Sequence, residues 1–236
     1  MPEDIKRGAG PRPPTVYLDN SATTPLDPRV ADVMCPWLGP VFGNPSSLHL
    51  VGREARAAVE RGRSQLAELL GASPPEIVYT ASGTEADNLA LVGIAEPYEP
   101  GDCHIVTSSV EHPAVLETCR YLQRRGVSVS WLPVDGDGTV DLSSLRELLR
   151  PTTRLVSVMA ANNVVGTIQP IADLAAIAHE HGALFHTDAV QAVGKIPLDV
   201  HALGIDLLSL SAHKLHGPQG IGALYIGEAA HIEPFV

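Results

Sequence analysis

The chain alternates between short apolar runs of β-type residues and longer segments in which Leu, Ala, Val and Ile recur at helical spacing. This alternation is typical of an α/β domain with a mostly parallel sheet. The apolar runs predict seven strands, at residues 76–80, 104–107, 128–132, 154–159, 183–187, 207–211 and 222–226. The segments between them predict five helices, at residues 53–70, 85–95, 114–124, 142–149 and 171–181. We therefore expect a seven-stranded, mostly parallel sheet flanked by helices.

Length, composition and charge limit the classes of protein that fit. A chain of 236 residues with 44% hydrophobic content can bury the core of one large domain. A net charge of −11 disfavours nucleic acid or an anionic membrane as the main partner. Residues 1–14 combine Pro, Gly and charges without an apolar stretch, which predicts a flexible tail rather than a signal sequence. Because no apolar run reaches the roughly 18 residues of a membrane span, we expect a cytoplasmic protein.

The cysteines and histidines do not form a recognisable metal or disulfide pattern. Cys35, Cys103 and Cys119 are odd in number and widely spaced, without a C-x-x-C pair. The ten histidines lack the i, i+4 spacing of a helical zinc motif, so we predict no metal site. The run Asp-Gly-Asp-Gly at 135–138 lacks the later ligands of a calcium loop and predicts a turn.

Polar side chains follow five of the predicted strands, where the ligand of an open α/β sheet is expected. They are Ser82, the run 108–112, Asn162 with Asn163, Asp188, and the run 211–214. Their shared position at the carboxyl ends of strands is stronger evidence for a site than any one of them. We expect a binding cavity at this edge of the sheet.

Lys214 is the strongest candidate for a residue that reacts covalently with a ligand. It is one of three lysines in the chain and lies beside Ser211, His213 and a Gly-Pro turn. A lysine that forms a Schiff base must be partly neutral near pH 7, and nearby cationic or desolvating groups achieve this. Lys195 is a weaker candidate, because Gly194-Lys195 lacks the other residues of a phosphate-binding loop. We predict that Lys214 is a Schiff-base lysine.

The run Ser-Gly-Thr-Glu at 82–85 begins a predicted helix directly after a strand. Free N–H groups and the helix dipole at such an end can bind a phosphate. An ordinary capping box, with Ser82 as the N-cap and Glu85 at the third position, explains the same residues equally well. Both interpretations stay open from the residues alone.

Asp188 and His112 each have a functional and a structural interpretation. Asp188 could pair with the ring nitrogen of pyridoxal phosphate, but an Asp at a strand end is also a common helix N-cap. His112, in Glu111-His112-Pro113, is fixed before a helix and could stack on a ring and move protons. A lone histidine in a loop is more often only a solvated side chain.

Together, the motifs resemble those of the pyridoxal-phosphate-dependent cysteine desulfurases and selenocysteine lyases in the class V aminotransferase group. Seven motifs occur in order: Tyr-Leu-Asp-Asn-Ser-Ala-Thr-Thr-Pro (17–25), Gly-Asn-Pro-Ser-Ser (43–47), Thr-Glu-Ala-Asp-Asn (84–88), Ser-Ser-Val-Glu-His (108–112), Asn-Asn-Val-Val-Gly (162–166), His-Thr-Asp-Ala-Val-Gln (186–191) and Ser-Ala-His-Lys (211–214). The resemblance is closest to the iron–sulfur-cluster type. It implies the large domain of a type I pyridoxal-phosphate transferase over 15–236, with an N-terminal segment that contributes to a small domain otherwise absent.

The resemblance also assigns roles by position. It implies Lys214 as the Schiff-base lysine, Asp188 as the partner of the pyridinium nitrogen, and His112 as a stacking acid or base. Gln191 and Asn163 would contact the cofactor near its phenolic oxygen. The phosphate would be held by Gly83, Thr84, Ser211 and His213.

In the family, an enzyme cysteine takes sulfur from L-cysteine, leaving alanine and a persulfide. The resemblance therefore implies L-cysteine as substrate, a sulfur-acceptor or iron–sulfur scaffold protein as partner, and a homodimer when intact. Two departures matter: Val164 stands where relatives usually carry Glu, and the nucleophilic cysteine falls beyond Val236. A selenocysteine lyase, or a non-catalytic cofactor-binding scaffold partner, are the alternatives. We expect the 236-residue chain alone to be inactive.

Overall fold

The computed structural model describes residues 16–233, so the predicted flexible tail at 1–14 lies outside the described residues. One sheet contains seven strands: β1 (Ile77–Thr80), β2 (His104–Ser108), β3 (Ser128–Leu132), β4 (Thr153–Ser157), β5 (Leu184–Asp188), β6 (Leu207–Ser211) and β7 (Gly222–Ile226). Their order across the sheet is β1-β7-β6-β5-β4-β2-β3. Strand β7 runs antiparallel to both of its neighbours, and the other pairs are parallel. The predicted fold class and all seven strands are confirmed.

Among the described residues, six α-helices accompany the sheet: α1 (Pro28–Met34), α2 (Leu50–Leu70), α3 (Gly83–Ala95), α4 (Pro113–Arg124), α5 (Leu142–Leu148) and α6 (Ile171–Glu180). Short 3-10 helices lie at Cys35–Leu38, Pro74–Glu76 and Ala212–Lys214. Helices α2 to α6 correspond to the five predicted ones. Helix α1 was missed, because its seven residues bury no side chain and so show no apolar face.

Several element boundaries follow from local chemistry. Helix α2 begins three residues before the predicted start, because the Nδ1 atom of His49 accepts a hydrogen bond from the Gly52 N–H at 3.3 Å. The predicted glycines end three helices: Gly71, Gly126 and Gly182 have φ angles of 71°, 96° and 73°. A left-handed backbone here costs glycine little, because it has no Cβ atom.

The core lies on both faces of the sheet, since successive residues of a strand point to opposite sides. On one face, Val106, Val156 and Phe185 pack with side chains of α2, α5 and α6. On the other, Ile105 and Leu155 pack with side chains of α3 and α4. Covering both faces explains why the central strands are continuous apolar runs rather than alternating ones.

The loop at 135–138 forms the predicted turn. The Asp135 carboxylate accepts hydrogen bonds from the N–H groups of Asp137 and Thr139, both at 2.9 Å. The Gly138 N–H closes the turn on the Asp135 carbonyl at 3.1 Å. Within residues 16–233, none of the helices combines the length and apolar character needed to cross a bilayer.

Candidate active site

A cavity of about 700 Å³ opens at the carboxyl ends of the parallel strands. The loops that follow β1, β2, β4, β5 and β6 all contribute to its wall. All nine residues singled out from the sequence line it: Gly83, Thr84, His112, Asn163, Asp188, Gln191, Ser211, His213 and Lys214. These nine residues come from five separate stretches of the chain and converge on one volume.

Lys214 ends the 3-10 helix that follows β6, and its amine points to the N-terminal segment. The Nζ atom donates hydrogen bonds to the carbonyls of Ser21 and Ala22, the second at 2.7 Å. Burial lowers the pKa of Lys214, while the charges of Asp188 and Asp19 oppose that shift. The amine is thus shifted toward the neutral form that a Schiff-base lysine requires.

Asp188 ends β5 and is only 5% exposed. Its Oδ1 atom accepts a hydrogen bond from the Val190 N–H at 2.9 Å. Burial raises the pKa of Asp188, whereas the Val190 N–H and the charges of His112 and Lys214 lower it. Asp188 closes a turn and does not cap a helix, because residues 190–195 form turns rather than a helix. A buried carboxyl directed into a cavity is suited to pair with a cationic ligand group.

Helix α3 presents its N-terminus to the cavity, and the capping interpretation of residues 82–85 is confirmed. The Ser82 hydroxyl accepts a hydrogen bond from the Glu85 N–H at 3.1 Å. The Glu85 carboxylate accepts in turn from the Ala81 N–H at 2.5 Å, one residue before the expected partner. The helix is capped, and its first residues still line the cavity. A capped end does not exclude anion binding, because a single cap satisfies only some of the free N–H groups.

Gly83 must be glycine for the helix end to reach this position. A Cβ atom there would lie 2.8 Å from Val190 Cγ2 and 3.3 Å from Ser211 Cβ. The missing side chain lets the α3 N-terminus pack directly against the loops after β5 and β6. Close packing therefore determines the shape of the cavity wall formed by Gly83, Thr84 and Ser211.

His112 is the N-cap of α4, which begins at Pro113. Its Nδ1 atom accepts a hydrogen bond from the Ala114 N–H at 3.1 Å. In the neutral ring, Nε2 then carries the proton. This cap fixes the ring beside the cavity, so His112 is more than a freely solvated side chain.

The two asparagines of the loop at 162–166 have different roles: one holds the loop in place and the other faces the cavity. Asn162 is buried, donates to the Val110 carbonyl at 2.9 Å and accepts from the Val164 N–H at 2.8 Å. Asn163 lines the cavity. Val164, which also lines the cavity, is 83% exposed, so its position could accommodate the polar residue that the resemblance implies.

The N-terminal segment closes one side of the cavity, and sequence reasoning did not anticipate this. Ser21 and Ala22 line the cavity, and the Ser21 carbonyl also accepts from Gln191 Nε2 at 2.7 Å. Thr24 donates to the His213 carbonyl at 2.8 Å and accepts from the His216 N–H, also at 2.8 Å. The motif at 17–25 was the only signal that could have suggested these contacts.

Three buried titratable groups in or next to the cavity wall were also missed. Asp87, which lines the cavity and is 1% exposed, has its pKa raised well above the usual range by burial and then by Asp188. Burial raises the pKa of Glu111 to about 8, against hydrogen bonds from Ser108 and the Met159 N–H. Burial lowers the pKa of His186 to about 3. Glu111 precedes His112 in a motif whose role was given to the histidine alone.

No cysteine lines the cavity in the part of the chain that the structure describes. Cys103 and Cys119 are buried in the core, and Cys35 is exposed after α1. Burial raises the pKa of Cys103 to about 11 and that of Cys119 to about 12. Both thiols are thus poor nucleophiles at neutral pH.

Comparison with known proteins gives consistent results. The aminotransferase class-V family profile matches residues 16–235. The chain is 51% identical over 221 residues to a protein of Dictyoglomus turgidum named cysteine desulfurase IscS, covering 94% of this chain and 56% of that protein. It thus spans about half the length of the relatives it matches.

Two solved structures resemble the fold closely. A NifS-like protein superposes with a TM-score of 0.91 at 45% identity, covering 94% of this chain and 61% of that one. A protein described as SspA in complex with cysteine superposes with a TM-score of 0.92 at 41% identity, covering 94% of this chain and 65% of that one.

Proposed function

This chain belongs to the aminotransferase class-V family, and we propose that it is the cofactor-binding part of a pyridoxal-phosphate-dependent cysteine desulfurase. Relatives named cysteine desulfurase match it at about half identity, and one structural neighbour is described as a complex with cysteine. The observation that carries the proposal is the convergence of an amine, a buried carboxyl and a helix N-terminus on one cavity: Lys214, Asp188 and Gly83.

The cavity fits pyridoxal 5′-phosphate, the cofactor on which this family depends. The amine of Lys214 supplies the group that bonds to the aldehyde. The N-terminus of α3 supplies N–H donors for the phosphate, with Gly83, Thr84, Ser211 and His213 around it. When bound, the cofactor supplies an electron sink that stabilises negative charge on the substrate carbon.

Asp188 is the residue that would hold a proton on the ring nitrogen. A cation beside its carboxyl favours the ionised form, which offsets the effect of burial on the pKa of Asp188. His112 lies at the rim with its Nδ1 atom occupied by the Ala114 N–H, so its Nε2 is the atom available for proton transfer. Gln191 and Asn163 line the same cavity and would contact the phenolic oxygen.

The sulfur-accepting cysteine is proposed to come from outside residues 16–233, because none of the described cysteines lines the cavity. On this proposal, the 236-residue chain binds the cofactor but turns over little L-cysteine by itself. A selenocysteine lyase would use the same cofactor site, and the relative rates on cysteine and selenocysteine distinguish the two. A sulfur-acceptor or iron–sulfur scaffold protein is the proposed partner, and the cytoplasmic location stays a prediction.

We further propose that the N-terminal segment belongs to a small domain and that the intact protein is a homodimer. Apolar side chains of this segment lie open to solvent, among them Leu18, Val33, Leu38, Phe42 and Leu48 at 71% to 84% exposure. Large exposed apolar patches usually mark surfaces that another polypeptide covers. The relatives contain further chain that this one does not span, which could provide that cover.

The proposed cofactor site is tested by borohydride reduction after incubation with pyridoxal phosphate, followed by peptide mass mapping. We expect one adduct, on Lys214, and none in Lys214→Ala, with circular dichroism to verify that the variant is folded. Lys195, the other lysine among the described residues, is the internal control. An adduct on Lys195, scattered labelling that includes Lys6, or no adduct in the wild type would contradict the assignment and favour a scaffold role without cofactor.

A further inference from the structure

Gln191 and the Ser21 carbonyl together link the two lysines of the described residues. Lys195 Nζ donates a hydrogen bond to Gln191 Oε1 at 2.8 Å. Gln191 Nε2 donates to the Ser21 carbonyl at 2.7 Å, and Lys214 Nζ donates to that same carbonyl. A continuous path of hydrogen bonds therefore joins the exposed amine of Lys195 to the amine of Lys214 in the cavity.

The chemistry of the two partners fixes the orientation of the Gln191 amide. An ammonium group can only donate, so the amide oxygen must face Lys195. A backbone carbonyl can only accept, so the amide nitrogen must face Ser21. A flipped amide would set donor against donor and acceptor against acceptor. Because the NH₂ group has two hydrogens, one remains for a ligand in the cavity that Gln191 lines.

The backbone that carries Lys195 is held in place. The Lys195 N–H donates to the Ala192 carbonyl at 3.0 Å, and Gly194 adopts a left-handed φ of 73°. A Cβ atom at Gly194 would lie 3.0 Å from Leu215 Cδ2, next to Lys214 in sequence. The turn at 189–196 is therefore packed against the loop that carries Lys214. This packing fixes the backbone position from which the Lys195 side chain extends.

We propose that Lys195 is a positioning residue that keeps the donor end of the Gln191 amide directed into the cofactor cavity. The inference rests on the proposed function, since the ligand atom that would accept this hydrogen bond is the phenolic oxygen of pyridoxal phosphate. Lys195 itself makes no contact with the cofactor in this arrangement. It acts through Gln191 by excluding the flipped amide.

Lys195 also contributes a charge near Lys214, which the test must separate from the effect on the amide. Burial and then the charge of Lys214 lower the pKa of Lys195, and the repulsion between two cations is mutual. Asp188, Asp19 and His213 also lie close enough to Lys214 for charge–charge interaction. Loss of the Gln191 amide donor and loss of the Lys195 charge would both raise the pKa of the linkage between Lys214 and the cofactor.

The test is a pH titration of the visible absorbance of the cofactor-loaded chain, which reports protonation of the linkage to Lys214. We expect Lys195→Met to raise the midpoint by about 0.7 pH units, the equivalent of one hydrogen bond. Lys195→Arg keeps the charge and the donor and should titrate like the wild type. Because Lys195 is exposed, the melting temperature of Lys195→Met should stay close to that of the wild type.

A double-mutant cycle separates the two routes. If Lys195 acts through the amide, Lys195→Met adds less than about 0.3 pH units to the midpoint of Gln191→Ala. Additive shifts would show that only the charge matters and would overturn the inference, as would a Lys195→Met variant that titrates like the wild type. If the wild type forms no absorbing linkage at all, the proposed function fails first and the inference falls with it.

Discussion

The sheet and the N-terminal segment differ in what holds them in place. The sheet strands bury apolar side chains on both faces, so Phe185 and Leu155 are fully enclosed. Helix α1 buries no side chain, and residues 16–50 are attached to the rest of the chain largely by hydrogen bonds of residues 21–27. The sheet is thus stabilised mainly by removal of apolar area from water, and the segment by directional polar contacts.

The cavity lies where these two regions meet, which has a chemical consequence. The sheet provides groups whose pKa values are shifted by burial, such as Asp188 and Glu111. The segment provides the backbone carbonyls of Ser21 and Ala22, which accept hydrogen bonds from Lys214, and the charge of Asp19. The floor of the site is therefore built from buried groups with shifted pKa values, and its N-terminal wall is held by hydrogen bonds.

The largest expected difference between the regions comes from two phenylalanines. Phe185 is 0% exposed and Phe42 is 71% exposed. Phe185→Ala should lower the free energy of unfolding by about 3–5 kcal/mol, because it leaves a cavity between the sheet and its helices. Phe42→Ala should change it by less than about 0.5 kcal/mol. Urea denaturation measures both, and equal losses would show that the segment contributes to the core after all.

The reactivity of the three cysteine thiols also distinguishes the sheet from the N-terminal segment. Burial raises the pKa of Cys103 to about 11 and that of Cys119 to about 12, so both remain protonated thiols through pH 9. Relative to an ordinary cysteine, their thiolate fraction falls by about 10²–10³. Exposed Cys35 should be the one site alkylated by iodoacetamide in the native chain at pH 8.

Intact mass after alkylation gives the readout. One label in the native chain and three after unfolding in urea are expected. Labelling of Cys103 or Cys119 at a rate comparable to Cys35 would mean that the region around β2 and α4 opens readily, against the contrast drawn between sheet and segment.

The smallest expected effect concerns the attachment of the segment. Thr24→Val removes the hydroxyl that donates to the His213 carbonyl and accepts from the His216 N–H. The loss should cost about 1–2 kcal/mol, confined to the segment and the loop after β6. Hydrogen exchange should rise in the peptide spanning residues 16–27 while β4 to β6 remain protected. Thr24→Ser keeps the hydroxyl and is the control; equal exchange in both variants would contradict this role for Thr24.

The sequence predicted the sheet well because its signals are local. A buried strand is a short apolar run, and a helix end is marked by residues such as Gly71 and Ser82 within one or two positions. The predicted end of strand β4 lies two residues too far along the chain, because Val158 and Met159 continue the apolar run after the ladder to β5 has ended. Helix α1 was missed for the opposite reason. It buries no side chain, so no buried apolar face marks it in the sequence.

For the site, the sequence identified residues whose type carries the chemistry and whose position follows a strand. Lys214, Asp188 and Gly83 were found in this way, and the seven ordered motifs strengthened the prediction. Asp87 was missed because it lies inside α3, where a carboxylate is normally a solvated residue. Lys195 was set aside for lacking a phosphate-loop motif, yet its amine contacts Gln191 beside the cavity.

The sequence by itself therefore determined the order of strands and helices, the chemical groups of the site and the family to which the chain belongs. Only the tertiary structure decided which of those groups meet, because contacts such as Lys214 with Ser21 join residues 193 positions apart. It also decided how each group is tuned, since the pKa of Glu111 depends on burial among side chains distant in sequence. Periodicity and capping are encoded within a few residues, whereas dielectric environment and proximity exist only after the chain has folded.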